Sequence, residues 1–235
     1  MVKRFFILLF CLYAGVVYAA CPMAEAYLKT NKKDKVFGEY KICAEQSNDF
    51  QSQFYVGMIY LNGADFAKQD LRMAYTYFRM GSENGYAPAQ RELAKLIDAL
   101  EDIGPDGQKA LNELENRWKA ENNSNREPLS ALAWLMLAAE KSENKWFYNA
   151  QALSDEQAIS LLPTFSKRGG VEQAEKQAVA FKQEKLMEQA KKLLTDSAYR
   201  DFEAIIYPKE GATGSKMTKA AAIENLKQYK MSIQK

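Results

Sequence analysis

The sequence predicts an all-α protein built as an array of helical hairpins, followed by a further helical region. The helix formers Ala, Lys, Glu, Gln and Leu dominate, whereas only 12 glycines and 6 prolines occur in 235 residues. Apolar residues recur at helical spacings of three and four. A stretch also matches itself 37 residues later, a period typical of stacked helical hairpins. The matched pairs are Tyr40 with Tyr77, Ala44 with Gly81, Ser52 with Ala89, Val56 with Leu93 and Gly57 with Ala94.

Residues 1–20 have the pattern of a secretory signal peptide. A basic start at Lys3 and Arg4 precedes an apolar run over 5–17, and small residues follow at Ala19 and Ala20. The run is shorter than the ~20 residues that a transmembrane helix needs. We therefore expect cleavage after Ala19 or Ala20, no membrane span, and a periplasmic or secreted protein.

Two cysteines, Cys21 and Cys43, remain after the predicted cleavage, because Cys11 leaves with the leader. In an oxidising compartment an even number of cysteines favours a disulfide, which would stabilise the chain by ~3 kcal/mol in the chain-entropy model. Two alternatives stay open. Both thiols could be reduced, or Cys21 could carry a lipid anchor, although Tyr18 stands where lipoprotein signals usually have an aliphatic residue.

Capping and breaking residues divide residues 21–140 into helices. Pro22 suits a first helical turn, Asn48 and Asp49 offer an N-cap, Asp70 opens a further helix, and Gly63 and Gly85 suit helix ends. The segment 104–107, Gly-Pro-Asp-Gly, reads as a breaker. The predicted helices cover 23–29, 33–46, 50–61, 70–84, 87–100, 108–121 and 129–140.

Residues 154–235 form the predicted C-terminal helical region, and residues 21–153 form the repeat region. A capping box opens the C-terminal region at Ser154, with Gln157 three positions later. We expect a long amphipathic helix over 172–194, broken once, and a basic amphipathic tail over 216–235.

The chain resembles a Sel-1-like repeat, a relative of the tetratricopeptide repeat. The pattern begins at Ser52 and departs from the family after Gly63, where Ala64-Asp65-Phe66 replaces its usual Gly-Val. A second unit begins at Ala89, is split by an insertion at about 98–128 and resumes at Ala131. The resemblance implies an α-solenoid whose repeat core contains Val56, Gly57, Tyr60, Ala74, Tyr77, Gly81, Gly85, Ala89, Trp134 and Ala138.

The repeat pattern leaves Phe54, Tyr55 and Met58 unassigned to the core. In this family the first helix of a hairpin lines the concave side, so these three residues form the predicted partner-binding surface. Aromatic residues and methionine are favoured at interfaces. The alternative is that they pack against the preceding hairpin. Tyr75 and Phe78, on the second helix, are expected between hairpins.

Charge and composition argue against catalysis and against nucleic acid. Without the leader the chain has 30 basic and 30 acidic residues, so it lacks the basic excess that nucleic acid requires. Histidine, the commonest general base and zinc ligand, is absent. Neighbouring acids such as Glu113 and Glu115 are interpreted as a solvated helix face. No metal and no cofactor is predicted.

The sequence therefore predicts an exported scaffold that binds another protein through a helical groove, without enzymatic activity. Exported proteins with such repeats include immunity proteins that neutralise toxins delivered to the periplasm, which is the sharper alternative. A lipid-anchored assembly factor and a cell-wall-active enzyme are the remaining ones.

Overall fold

The computed structural model describes residues 21–140 and 170–207, together with Ile223 and Leu226. This part of the chain is all-α and contains no strand. The predicted signal peptide, the boundary at 153/154 with its capping box, and most of the tail lie outside the described residues. The helices are α1 (Pro22–Lys29), α2 (Lys33–Gln46), α3 (Phe50–Asn62), α4 (Leu71–Glu83), α5 (Ala87–Asp102), α6 (Pro105–Asn122), α7 (Ala131–Glu140), α8 (Val171–Leu193) and α9 (Asp196–Ile206).

Side-chain caps start helices α3 and α4, and Asp49 is one of the two predicted N-cap candidates. The carboxylate of Asp49 accepts the backbone N–H of Ser52 at 2.9 Å, and that of Asp70 accepts the N–H of Met73 at 3.0 Å. Each bond satisfies a donor that the first helical turn leaves unpaired. Gly63 ends α3 with a φ of 73°, a conformation that costs glycine little.

One predicted interruption is shorter than expected, and another is absent. The chain does break between α5 and α6, but of the segment 104–107 only Gly104 lies outside a helix. Pro105 occupies the first turn of α6, where the backbone N–H that proline lacks has no partner within the helix. The expected break within 172–194 is absent, since α8 runs continuously over 23 residues.

Neighbouring helices pack in order from α1 to α6. In addition, α5 packs against α7, and α6 packs against α4 as well as α5. The predicted insertion at about 98–128 therefore starts inside α5 and consists largely of α6, which is part of the packed structure.

Helix starts repeat at the spacing found in the sequence. Helices α3 and α5 begin at Phe50 and Ala87, 37 positions apart, and the left-handed residues Asn48 and Gly85 precede them at the same spacing. A cluster of side-chain amides joins the first turn of α3 to the end of α4. The buried Gln53 side chain donates to Asn48 Oδ1 at 2.8 Å and to the Ala44 carbonyl at 3.2 Å. Asn84 donates to the Gln53 side-chain oxygen at 3.1 Å.

The chain divides into two units, residues 1–171 and 172–235. The second unit has its own apolar cluster, in which α8 and α9 meet Ile223 and Leu226. The buried members of this cluster are Met187, Ala190, Phe202, Ile206 and Leu226. None of the helices in the described ranges is long and apolar enough to cross a membrane.

Candidate functional site

Helix α3 carries the three residues predicted to bind a partner, Phe54, Tyr55 and Met58, which we call the α3 face. All three are half-buried. The ring of Phe54 lies 5.7 Å from that of Tyr86 in an edge-to-face arrangement, and Tyr55 stacks on Tyr40 at 5.0 Å. Such pairs contribute ~0.5–1.5 kcal/mol beyond their buried area. The α3 face thus combines internal packing with exposed area.

The internal contacts hold the two rings in place. Tyr40 lies on α2 and Tyr86 immediately precedes α5, so the α3 face is braced from both sides. Aromatic rings with few rotatable bonds lose little conformational entropy when a partner binds. Met58 is more adaptable, because its thioether chain fits differently shaped partners. The α3 face is therefore a preformed apolar surface in which Met58 is the side chain with the most conformational freedom.

Most of the predicted repeat-core residues are buried. Gly57 lies where α4 comes so close that a Cβ there would lie 2.6 Å from the ring of Phe78. Tyr60 and Gly85 are only half-buried. Tyr60 stacks on Tyr77 with centroids 5.9 Å apart, and Gly85 ends a helical turn with a φ of 76°. The buried members are Val56, Gly57, Ala74, Tyr77, Gly81, Ala89, Trp134 and Ala138, and the expected burial of Tyr75 and Phe78 also holds.

Cys21 and Cys43 form a disulfide, with their Cα atoms 5.9 Å apart. The bridge joins the start of α1 to α2, and both cysteines are buried. A lipid thioether at Cys21 would need the same sulfur atom. The disulfide alternative is therefore the one that the structure contains.

A groove that the sequence did not predict lies beside α4. Its floor consists of Met73, Tyr77 and Met80, and its walls come from α2 and α6. Its volume is about 260 Å³. The phenol of Tyr77 donates to Glu45 at 2.5 Å, and burial together with this bond raises the pKa of Tyr77 above its usual range. The rim carries Arg72, Thr76, Arg117 and Glu121.

A buried ion network joins α4 to α6. The Arg79 guanidinium pairs with Glu115 at 2.9 Å and with Glu83 at 3.1 Å. The phenol of Tyr75 also donates to Glu115, and burial raises its pKa above the usual range. The prediction that Glu115 lies on a solvated face is therefore wrong, since its side chain is only 6% exposed. Glu113, two residues earlier, is exposed as predicted.

Aromatic rings and a second arginine complete this network. The Arg79 guanidinium lies 5.6 Å from the Trp118 ring centroid and 5.0 Å from that of Trp134. Arg126 pairs with Glu83 at 2.6 Å. A cation between two indole faces is stabilised by both. These contacts connect α4, α6 and α7, and they hold the α6 wall of the groove.

One signal for the burial of Glu115 is present in the sequence. Gly107, Leu111, Glu115 and Trp118 follow one another at spacings of four, four and three, which places them on one face of α6. All four are buried. An acid within an apolar stripe indicates a buried cation partner, but nothing in the sequence indicates that this partner is Arg79.

No group of three or more potential metal ligands occurs in the described residues. Comparison of the chain with protein-family models, with curated proteins and with solved structures finds no significant match.

Proposed function

We propose that this protein is an exported, non-enzymatic scaffold that binds another protein through a helical repeat groove, with the α3 face as its recognition surface. The observation that carries the proposal is that Phe54, Tyr55 and Met58 are half-buried on one helix, with the ring of Phe54 against Tyr86 and the ring of Tyr55 against Tyr40. Preformed apolar surfaces bind with a smaller entropic cost than surfaces that must first become ordered.

The spacing of the helices supports a repeat architecture related to Sel-1-like repeats. The 37-residue offset relates both the helix starts Phe50 and Ala87 and the left-handed residues Asn48 and Gly85. Helix α4 packs on α3, and α7 packs on α5. In this interpretation α7 is the second helix of the interrupted unit, and α6 is an insertion between its two helices.

The disulfide supports a location outside the cytoplasm. Disulfides persist in oxidising compartments and are rare where thiols are kept reduced. Together with the basic and apolar start of the chain, the Cys21–Cys43 bridge favours a periplasmic or secreted protein.

A co-purification experiment tests the proposal. We expect Met58→Glu to lose the partner that the tagged wild-type protein retains from an envelope fraction, because a charge at Met58 must be desolvated when the apolar surface is covered. Val179→Glu is the matched control, since Val179 is an exposed apolar residue within α8, in the other unit.

Retention of the same protein by both variants would contradict the proposed surface, and so would equal loss from both. The identity of the retained protein also separates the alternatives. A toxin would indicate an immunity protein, whereas an envelope component would indicate an assembly scaffold.

A further inference from the structure

Helix α1 is short and its surface is largely exposed. It has eight residues, of which Ala24 alone is buried, and Met23 and Leu28 are about half exposed. The ammonium group of Lys35 on α2 lies over the ring of Tyr27, 5.6 Å from the ring centroid. Helices shorter than ~12–15 residues are marginal in water without tertiary support. The disulfide is therefore the strongest single link between α1 and α2.

The contact between α1 and α2 covers part of an aromatic residue next to the α3 face. Cys21, Ala24 and Cys43 form a small buried cluster, against which Tyr40 packs. The ring of Tyr40 also stacks on Tyr55. If α1 left this position, Tyr40 would lose its cover on the α1 side and would add exposed aromatic area beside Tyr55.

We propose that the Cys21–Cys43 disulfide is a redox-sensitive latch, whose reduction releases α1 alone and enlarges the α3 face by Tyr40. The reductant is a dithiol. One of its thiolates attacks a sulfur of the bridge, and the other cysteine leaves as a thiolate that takes up a proton. The second thiol of the reductant then displaces the first cysteine and forms a disulfide within the reductant, which is thereby oxidised, so that two electrons and two protons pass to the protein.

The release is local because the core behind α2 does not depend on α1. A separate buried cluster of Ala44, Val56 and Tyr77 also packs against Tyr40. The amide cluster around Gln53 also holds the turn between α2 and α3. The effect on partner binding rests on the proposed function, whereas the release of α1 does not.

Hydrogen exchange with and without dithiothreitol tests the latch on the purified protein. Removal of the covalent link is expected to raise the exchange rate of the α1 amides on the order of 100-fold, which corresponds to the loop-closure contribution of a bridge of this length. Exchange across α3, α4 and α5 is expected to stay the same. Labelling of both thiols confirms that the bridge has been reduced.

The double variant Cys21→Ser/Cys43→Ser is the matched control. Without reductant it should show the same fast exchange in α1, and dithiothreitol should then change nothing further. Unchanged protection of α1 after reduction would overturn the proposal. So would a loss of protection that extends to α3–α5, or a bridge that dithiothreitol does not reduce in the folded protein. None of these outcomes depends on a partner, so they leave the proposed function to its own test.

Discussion

Replacing Arg79 with methionine is expected to lower the free energy of unfolding by about 3–5 kcal/mol, the usual cost of removing one partner from a buried ion pair. The Arg79 side chain is 2% exposed and is paired with Glu115, which is itself 6% exposed. Without the guanidinium, Glu115 keeps only the phenol of Tyr75 among the residues that the structure describes, whereas Glu83 retains Arg126. Denaturant unfolding followed by tryptophan fluorescence measures the change, since Trp118 and Trp134 flank Arg79.

The double variant Arg79→Met/Glu115→Met distinguishes the loss of the ion pair itself from the cost of leaving the Glu115 carboxylate buried without its cation. Replacing both partners removes the uncompensated charge, so the double variant should be more stable than Arg79→Met alone. Glu113→Met is the matched control, because Glu113 is exposed on the same helix, and it should change stability little. A stability of Arg79→Met within about 1 kcal/mol of the wild type would contradict the role given to this network.

The variant Gly107→Ala is expected to have the second-largest effect, a loss of about 3 kcal/mol. A Cβ at Gly107 would lie 1.7 Å from the carbonyl oxygen of Leu100, a backbone atom that cannot rotate away. Helices α5 and α6 would have to separate at their joint, and this would also shift Glu115 relative to Arg79. Thermal or denaturant unfolding measures the loss.

Gly38→Ala provides the matched control for this substitution. Gly38 lies within α2, and a Cβ there would meet no atom within 4 Å. Alanine favours a helix over glycine by ~1 kcal/mol, so this variant should be as stable as the wild type or more stable. An equal response of the two variants would show that backbone propensity, and not the close approach of α5 and α6, determines the effect.

Local features of the fold could be predicted from the sequence because they depend on neighbouring residues. Asp49 and Asp70 cap helices through bonds to residues three positions later, and Gly63 ends α3 through its own backbone conformation. The Cys21–Cys43 pair could be predicted because Cys11, one of the three cysteines, lies in the predicted leader, and the two others allow a single pairing.

The docking of α6 could not be predicted, because it depends on contacts between distant residues. Arg79 and Glu115 are 36 positions apart, and the composition of α6 is mainly polar. Both the groove beside α4 and the burial of Glu115 depend on this docking. For a similar reason, the sequence does not decide whether the α3 face packs internally or binds a partner. Its neighbours Tyr40 and Tyr86 occupy only part of each ring's surface.

Site-specific photo-crosslinking in living cells tests most directly whether the α3 face binds a protein. A photoreactive amino acid at position 58, within this face, should give a discrete adduct with one partner. The same group at position 113 should not, because Glu113 is exposed on the outer side of α6, away from its buried stripe. Absence of an adduct at position 58, or the same adducts from both positions, would contradict a recognition surface on α3.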